Sequence, residues 1–203
     1  MATAPRLVFA SHNPHKRDEV WAILEPLLPG WTSADLASAS DFDVPPPVED
    51  GVTFADNALV KARTACLATG LPAVADDSGL AVDVMGGAPG IFSALWSGVH
   101  GADEQNVRLL LAQLEDIPDA HRGAAFVCAA ALVTPEGHEV VREGRMEGRI
   151  GREAAGGGGF GYDPIFIPAG YDVTAAELTA AQKNAISHRG KAFAALAARL
   201  AVL

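Results

Sequence analysis

The stretch from Ala73 to Asp83 constrains the fold more than any other part of the chain. Two short apolar runs flank two adjacent carboxylates and a glycine, a pattern typical of strands joined by a tight turn. We therefore expect a strand to end at Asp76 and Asp77, a turn at Gly79, and a second strand beyond. Adjacent ionised carboxylates repel each other, and a hard cation such as Mg²⁺ relieves that repulsion. A solvated turn explains the same residues equally well.

The composition is that of a folded protein, and its charge argues against a partner such as nucleic acid. Hydrophobic residues make up 49% and charged residues 20%, so a normal core is available and disorder is not indicated. The net charge of −10 argues against a nucleic-acid or anionic membrane surface, because both need a basic field. With no apolar run of membrane-spanning length and no signal-peptide core, we expect a cytoplasmic protein. Cys66 and Cys128 lack metal-ligand spacing and are predicted to be buried thiols.

Strands and helices alternate in the first half of the chain, and strands dominate later. A mixed α/β fold is therefore expected. The predicted elements are a strand over 6–10, a helix from about Lys16, a strand over 31–34, a helix from Thr53 to Thr69, a helix over 103–114, and an antiparallel hairpin of strands 122–133 and 139–149.

Positive charge occurs at the start of two predicted helices, where the helix dipole disfavours it. His15 and Lys16 open the first helix, and His188 and Arg189 open the last, with Lys183 shortly before. A bound anion would reverse that cost, so these residues are candidates for a phosphate site. A solvated basic helix start remains the alternative.

The run from Gly156 to Pro164 is the most unusual local composition. It lacks the Gly-Lys-Ser/Thr ending of a phosphate-binding loop, so its glycines are better explained by a close backbone approach to a ligand. Phe160 and Tyr162 offer flat apolar faces, and Asp163 can accept hydrogen bonds from a base or sugar. A flexible loop with two core aromatics is the other interpretation.

Taken together, the motifs resemble the inosine/xanthosine triphosphate pyrophosphatases. Five of them occur in the order found in that family: Ser11 to Lys16, Glu49 to Phe54 with Asn57 and Ala58, Ala75 to Leu80, Gly159 to Pro164, and Ser187 to Ala192. The resemblance implies one domain over residues 1–203, an elongated two-lobed mixed sheet flanked by helices, and a homodimer. It also implies Mg²⁺-dependent hydrolysis of XTP, ITP or dITP to the monophosphate and pyrophosphate, which cleanses the nucleotide pool.

The resemblance also assigns the site. Asp77 matches the general base and, with Glu49, a metal ligand, while Asp76 is an outer or additional ligand. A carboxylate that binds metal is a weak base, so orienting an attacking water is the more cautious role for Asp77. The implied substrate contacts are Ser11, His12, Asn13, Pro14, His15, Lys16, Ser78, Phe160, Gly161, Tyr162, Asp163, Lys183, His188 and Arg189. Donors from His188 or Arg189 would pair with the 6-oxo group of hypoxanthine or xanthine and reject adenine.

One residue departs from the family pattern, and other functions stay open. Leu95 stands where many bacterial relatives have arginine, which leaves the fine substrate preference open. A non-catalytic nucleotide-binding module and a phosphatase that releases orthophosphate are the alternatives. The Asp76-Asp77 spacing does not match the Asp-x-Asp of haloacid dehalogenase phosphatases, and the helical stripes argue against an aspartic protease.

Overall fold

The computed structural model describes residues 4–11 and 14–203, without the side chains of residues 14 and 15. The strands are β1 (Leu7–Phe9), β2 (Leu36–Ser38), β3 (Ala73–Val82), β4 (Gly123–Val133), β5 (Glu139–Ile150) and β6 (Phe166–Pro168). The helices are α1 (Pro14–Leu24), α2 (Phe54–Thr69), α3 (Asp103–Gln113), α4 (Ala180–Ile186) and α5 (His188–Leu200). One six-stranded sheet has the order β2-β1-β3-β4-β5-β6, with β1 parallel to β2 and β3, and β5 antiparallel to β6. The predicted mixed α/β fold is confirmed.

The chain divides into two compact units. The first unit contains the described residues up to Asp77, together with Cys128–Gly144 and Arg189–Leu203. The second unit contains Ser78–Val127 and Arg145–His188. The assignment of residues 1–203 to a single family domain stays a prediction.

In the first unit, both faces of the sheet are buried. Leu7 and Phe9 belong to one apolar cluster and Val8 to another, because successive strand residues point to opposite faces. Helices α1 and α5 cover the Leu7 face, where Phe193 packs edge-on against Phe9 with ring centroids 6.2 Å apart. Helix α2 covers the Val8 face.

Helix α2 has the ends that its sequence predicts. The Thr53 hydroxyl accepts a hydrogen bond from the Asp56 N–H at 3.1 Å, and Gly70 ends the helix with a φ of +68°. Its buried stripe includes Ala58 and Ala62, whose small side chains allow the helix to approach the sheet closely. The helix therefore has a fixed position over the Val8 face.

The second unit has its own core. Leu80, Leu110 and Tyr162 are buried there with two aromatic rings, Phe126 and Phe166, whose centroids are 4.7 Å apart. Helix α3 contributes Leu110, which is fully buried. This packing holds α3 against the strands of the unit.

Two predicted elements are wrong. The expected turn at Gly79 is absent from the described structure, since β3 runs unbroken from Ala73 to Val82. The strand lies between β1 and β4, and this pairing outweighs the local turn preference. The strand expected over 31–34 is instead a 3₁₀ turn, Ser33–Asp35, in which the Asp35 carboxylate accepts from the Thr32 N–H at 2.7 Å; β2 follows it. The hairpin of β4 and β5 was predicted correctly, whereas α4 was not predicted.

Cys66 and Cys128 are both buried, as predicted. Within residues 4–11 and 14–203, every helix is too short or too polar to cross a bilayer.

Candidate active site

Asp76 and Asp77 point in opposite directions, because neighbouring residues of a strand alternate between its faces. The Asp77 carboxylate faces α2, where its partners are Asn57 and Lys61. The Asp76 carboxylate contacts Arg189 of α5. The expectation that the two anions lie side by side is therefore wrong.

A lysine links Asp77 to Glu49. Lys61 Nζ donates to Asp77 Oδ1 at 2.8 Å and to Glu49 Oε2 at 3.3 Å. Asn57, four residues earlier and so on the same helix face, donates to Asp77 Oδ2 at 3.4 Å. Its own side-chain oxygen accepts from the Gly51 N–H at 2.9 Å, and a Cβ at Gly51 would lie only 2.6 Å from that oxygen. The glycine thus allows the segment after Glu49 to lie against α2.

Burial and charge act in opposite senses on this cluster. Burial raises the pKa of Asp77, and burial together with the charge of Glu49 outweighs the lowering effects of Lys61 and Asn57, so the pKa is raised. Burial lowers the pKa of Lys61, but the charges of Asp77, Asp76 and Glu49 outweigh it and raise the pKa. Lys61 is therefore charged and is the cation that holds the two acids together.

The donor set at Asp77 and Glu49 suits a hard cation. Both residues supply carboxylate oxygens, the ligands that Mg²⁺ takes in proteins, and both already lie within reach of one positive charge. In the described ranges, no group of three or more His, Cys, Asp or Glu side chains converges. A Mg²⁺ ion held here would complete its coordination with water and substrate phosphates, which is its usual mode.

Asp76 belongs to a buried ion-pair network. Its Oδ2 accepts from Arg189 Nε at 3.0 Å, and Arg189 Nη1 donates to both carboxylate oxygens of Glu19 at 3.1 Å. The Asp76 and Arg189 side chains are only 3% and 4% exposed. Burial alone would raise the pKa of Asp76. The positive charges of Arg189, Lys16 and Lys61 lower it by a larger amount, so the pKa falls well below its usual range. Arg189 thus has two acidic partners, and its predicted contact with the base stays a prediction.

Several predicted site residues line a cavity of about 160 Å³ in the first unit. Its polar lining comprises Ser11, Lys16, Glu49, Lys61, Thr64 and Asp76. Pro45 to Pro47 form part of the wall and lead to Glu49. His12, Asn13 and the side chains of Pro14 and His15 lie outside the described residues.

In the second unit, Asp163 shapes the glycine-rich loop. Its buried carboxylate accepts from the Phe160 N–H at 2.8 Å and from Lys183 Nζ at 2.5 Å. Gly159 has a φ of +74°, and a Cβ there would collide with the Asp163 carboxylate. These contacts hold the loop in shape, and the role of Asp163 as an acceptor for a base or sugar stays a prediction. Phe160 is 63% exposed, with Lys183 Nζ 5.3 Å from its ring centroid.

Of the two loop aromatics, Phe160 is exposed and Tyr162 is buried. The Tyr162 hydroxyl donates to the Ser93 carbonyl at 2.8 Å, and burial together with the charge of Asp103 raises the pKa of the phenol. Tyr162 is thus a core residue. Of the two aromatic faces expected in this loop, only that of Phe160 is exposed. The Gly161 N–H donates to Asp103 Oδ2 at 2.9 Å.

His188 and Ser78 are the remaining predicted contacts. The half-buried His188 ring stacks on Phe126, with centroids 5.2 Å apart and planes at 15°. Ser78 follows Asp77 in β3 and is half-buried. Their roles toward a substrate stay predictions.

Three contact residues were not predicted from the sequence. For Lys61 a signal existed, since it shares a face of the predicted α2 with Asn57, a residue of the Glu49 motif. Glu19 and Asp103 have partners far along the chain, and periodicity within one helix does not identify such partners.

Comparison with known proteins defines the class to which this fold and site belong. The profile of the Ham1 family matches residues 7–199. The chain therefore belongs to the Ham1 family, and the family predicted from the five motifs is confirmed.

Individual relatives match over almost their full length. The dITP/XTP pyrophosphatase of Streptomyces coelicolor is 58% identical over 193 residues, covering 94% of each chain. That of Leifsonia xyli is 56% identical over 191 residues, covering 94% of this chain and 93% of the relative. A crystal structure of the nucleoside-triphosphatase, or dITP/XTP pyrophosphatase, of Mycobacterium abscessus aligns with a TM-score of 0.80 at 56% identity, covering 96% and 98% of the two chains. A HAM1 protein structure from Coxiella burnetii aligns with a TM-score of 0.88 at 40% identity, covering 98% and 100%.

Proposed function

We propose that this protein is a hydrolase that converts XTP, ITP and dITP to the nucleoside monophosphate and pyrophosphate. The names of relatives above 50% identity over nearly the whole chain support the reaction class. The observation that carries the proposal is the position of Lys61 between the carboxylates of Glu49 and Asp77, at a cavity also lined by Lys16.

The cavity residues suit a triphosphate. Lys16 and Lys61 place two ammonium groups at one cavity of a chain whose net charge is −10. These ammonium groups can pair with phosphate oxygens and with the negative charge that develops on a departing pyrophosphate, and a Mg²⁺ ion at Glu49 and Asp77 would offset the acids at the same cavity. Ser11, at the same cavity, adds a hydroxyl donor.

Glu49 and Asp77 would hold Mg²⁺ in this reaction. When bound, Mg²⁺ neutralises phosphate charge and acidifies an attacking water. The Asp77 carboxylate would accept a hydrogen bond from the attacking water and orient it toward phosphorus.

In the second unit, the exposed ring of Phe160 offers a stacking face for a purine. A hydrogen-bond donor at the 6-position, for which His188 is the candidate, would accept hypoxanthine or xanthine and leave the 6-amino group of adenine badly paired. A buried mismatch of this kind discriminates by roughly 10⁴-fold. Leu95, which is exposed, contributes no charge to the choice of substrate.

Product identification tests the proposal. The protein is incubated with Mg²⁺ and XTP, ITP, dITP, ATP or GTP, and the products are separated by anion exchange. Monophosphate and pyrophosphate in equal amounts from XTP or ITP, with little turnover of ATP, is the expected result. Diphosphate with orthophosphate would indicate a phosphatase, and binding without turnover would indicate a nucleotide-binding module.

We further propose that the protein acts as a cytoplasmic homodimer, as the family resemblance implies. Size-exclusion chromatography with light scattering should give twice the mass of one chain. The mass of a single chain at micromolar concentration would refute the dimer.

A further inference from the structure

We propose that Asp103, the first residue of α3, is a positioning residue that holds the loop from Gly159 to Asp163 in the shape that receives the purine. The inference rests on the proposed function, because it takes this loop as the base-binding segment. Asp103 itself belongs to none of the five motifs.

The contact is a charge-assisted hydrogen bond to the backbone. Asp103 Oδ2 accepts from the Gly161 N–H at 2.9 Å, within the range of a strong bond. Gly161 has a φ of +60°, a left-handed conformation that favours glycine. Its N–H donates to Asp103 and not to a neighbouring residue of the loop. Without Asp103, this amide would lose its acceptor.

Asp103 is well placed to act as a fixed anchor. It lies in the first turn of α3, where the helix dipole favours a negative side chain. The helix is held in turn by the buried residues Asn106 and Leu110. Because α3 packs against the core of its unit, the Asp103 carboxylate has a fixed position. Its hydrogen bond to Gly161 therefore fixes the position of the loop.

Three consecutive loop residues are each fixed by a different bond. The Phe160 N–H donates to Asp163, the Gly161 N–H to Asp103, and the Tyr162 hydroxyl to the Ser93 carbonyl. Asp103 supplies the middle bond, directly after the exposed ring of Phe160. Without this bond, the backbone that orients the Phe160 ring would become more mobile. The side chains that line the cavity of the first unit would be unchanged. The expected defect is therefore in substrate affinity rather than in the chemical step.

Steady-state kinetics with ITP separate these effects. Asp103→Ala should raise KM roughly tenfold, which corresponds to about 1.4 kcal/mol, with kcat changed less than about twofold. Asp103→Asn keeps a side-chain oxygen as acceptor and should stay within about threefold of the wild-type KM. Glu104→Ala is the matched control, because it removes an exposed first-turn acid from the same helix. An unchanged KM in Asp103→Ala, an equal increase in Glu104→Ala, or no rescue by Asn would overturn the proposal.

Amide hydrogen exchange tests the anchor without turnover. The Gly161 amide should be protected in the wild type and in Asp103→Asn, and should exchange at least about tenfold faster in Asp103→Ala. Equal protection in all three proteins would overturn the proposal. If the wild type released no pyrophosphate, the proposed function would fail, while Gly161 exchange would still decide whether Asp103 fixes the loop.

Discussion

Replacing Asp76 by Asn tests the buried network of the first unit. The change removes the charge that faces Arg189, whose side chain is only 4% exposed. Breaking a buried pair by removing one partner costs about 3–5 kcal/mol, because the remaining charge is left uncompensated. Arg189 retains Glu19, which is 35% exposed and screened by water, so we expect a loss near the lower end, about 3 kcal/mol.

Urea unfolding at several pH values is the assay. The pKa of Asp76 is lower in the folded than in the unfolded chain, so its contribution to stability is complete above the unfolded value of about 3.9 and declines as the pH falls below it. The difference between the wild type and Asp76→Asn should therefore be largest near pH 7 and narrow below about pH 4.

Asp77→Asn is the matched control, being the same change at the next residue of the same strand. The pKa of Asp77 is raised, so the fold disfavours its charged form, and the neutral variant should lose less than about 1 kcal/mol. Equal losses in the two variants, or a difference for Asp76→Asn that does not change with pH, would refute the reasoning.

Two further changes separate binding from stability. Phe160→Ala should raise KM for ITP roughly tenfold in steady-state assays, since stacking a base on an aromatic ring contributes about 1–3 kcal/mol; Phe92→Ala, an exposed ring outside the loop, is the control and should have little effect. Phe193→Ala should cost about 3–5 kcal/mol in urea unfolding, because Phe193 is fully buried against Phe9. The exposed Leu67→Ala should change stability by less than about 0.5 kcal/mol, and a similar loss in both variants would contradict the core assignment.

Elements with local signals were predictable. Thr53 and Gly70 mark the ends of α2, and the turn between β4 and β5 sets up a hairpin. The continuous course of β3 was not predictable, because Asp76 to Gly79 have turn preferences that only pairing within the sheet overrides. Local sequence signals thus predict where helices and turns begin and end. Pairing with neighbouring strands decides whether a segment with turn preferences becomes a strand.

In the candidate site, too, the residue types were predictable from the sequence, whereas their contacts were not. The acidic character of Glu49 and Asp77 was apparent from the sequence, but their link through Lys61 depends on how α2 packs. The positive charge of Arg189 at a helix start indicates an anion site when the sequence is considered alone. In the structure its direct partners are Asp76 and Glu19, carboxylates from distant parts of the chain, which no local pattern identifies.

The rate of pyrophosphate release from XTP by Asp77→Asn tests the central claim most directly. It is measured at saturating Mg²⁺ and XTP, on protein whose urea unfolding shows that it is folded. If Asp77 orients the attacking water beside Glu49, the variant should lose roughly 10²- to 10⁴-fold in kcat. A folded Asp77→Asn protein that releases pyrophosphate at close to the wild-type rate would contradict the account.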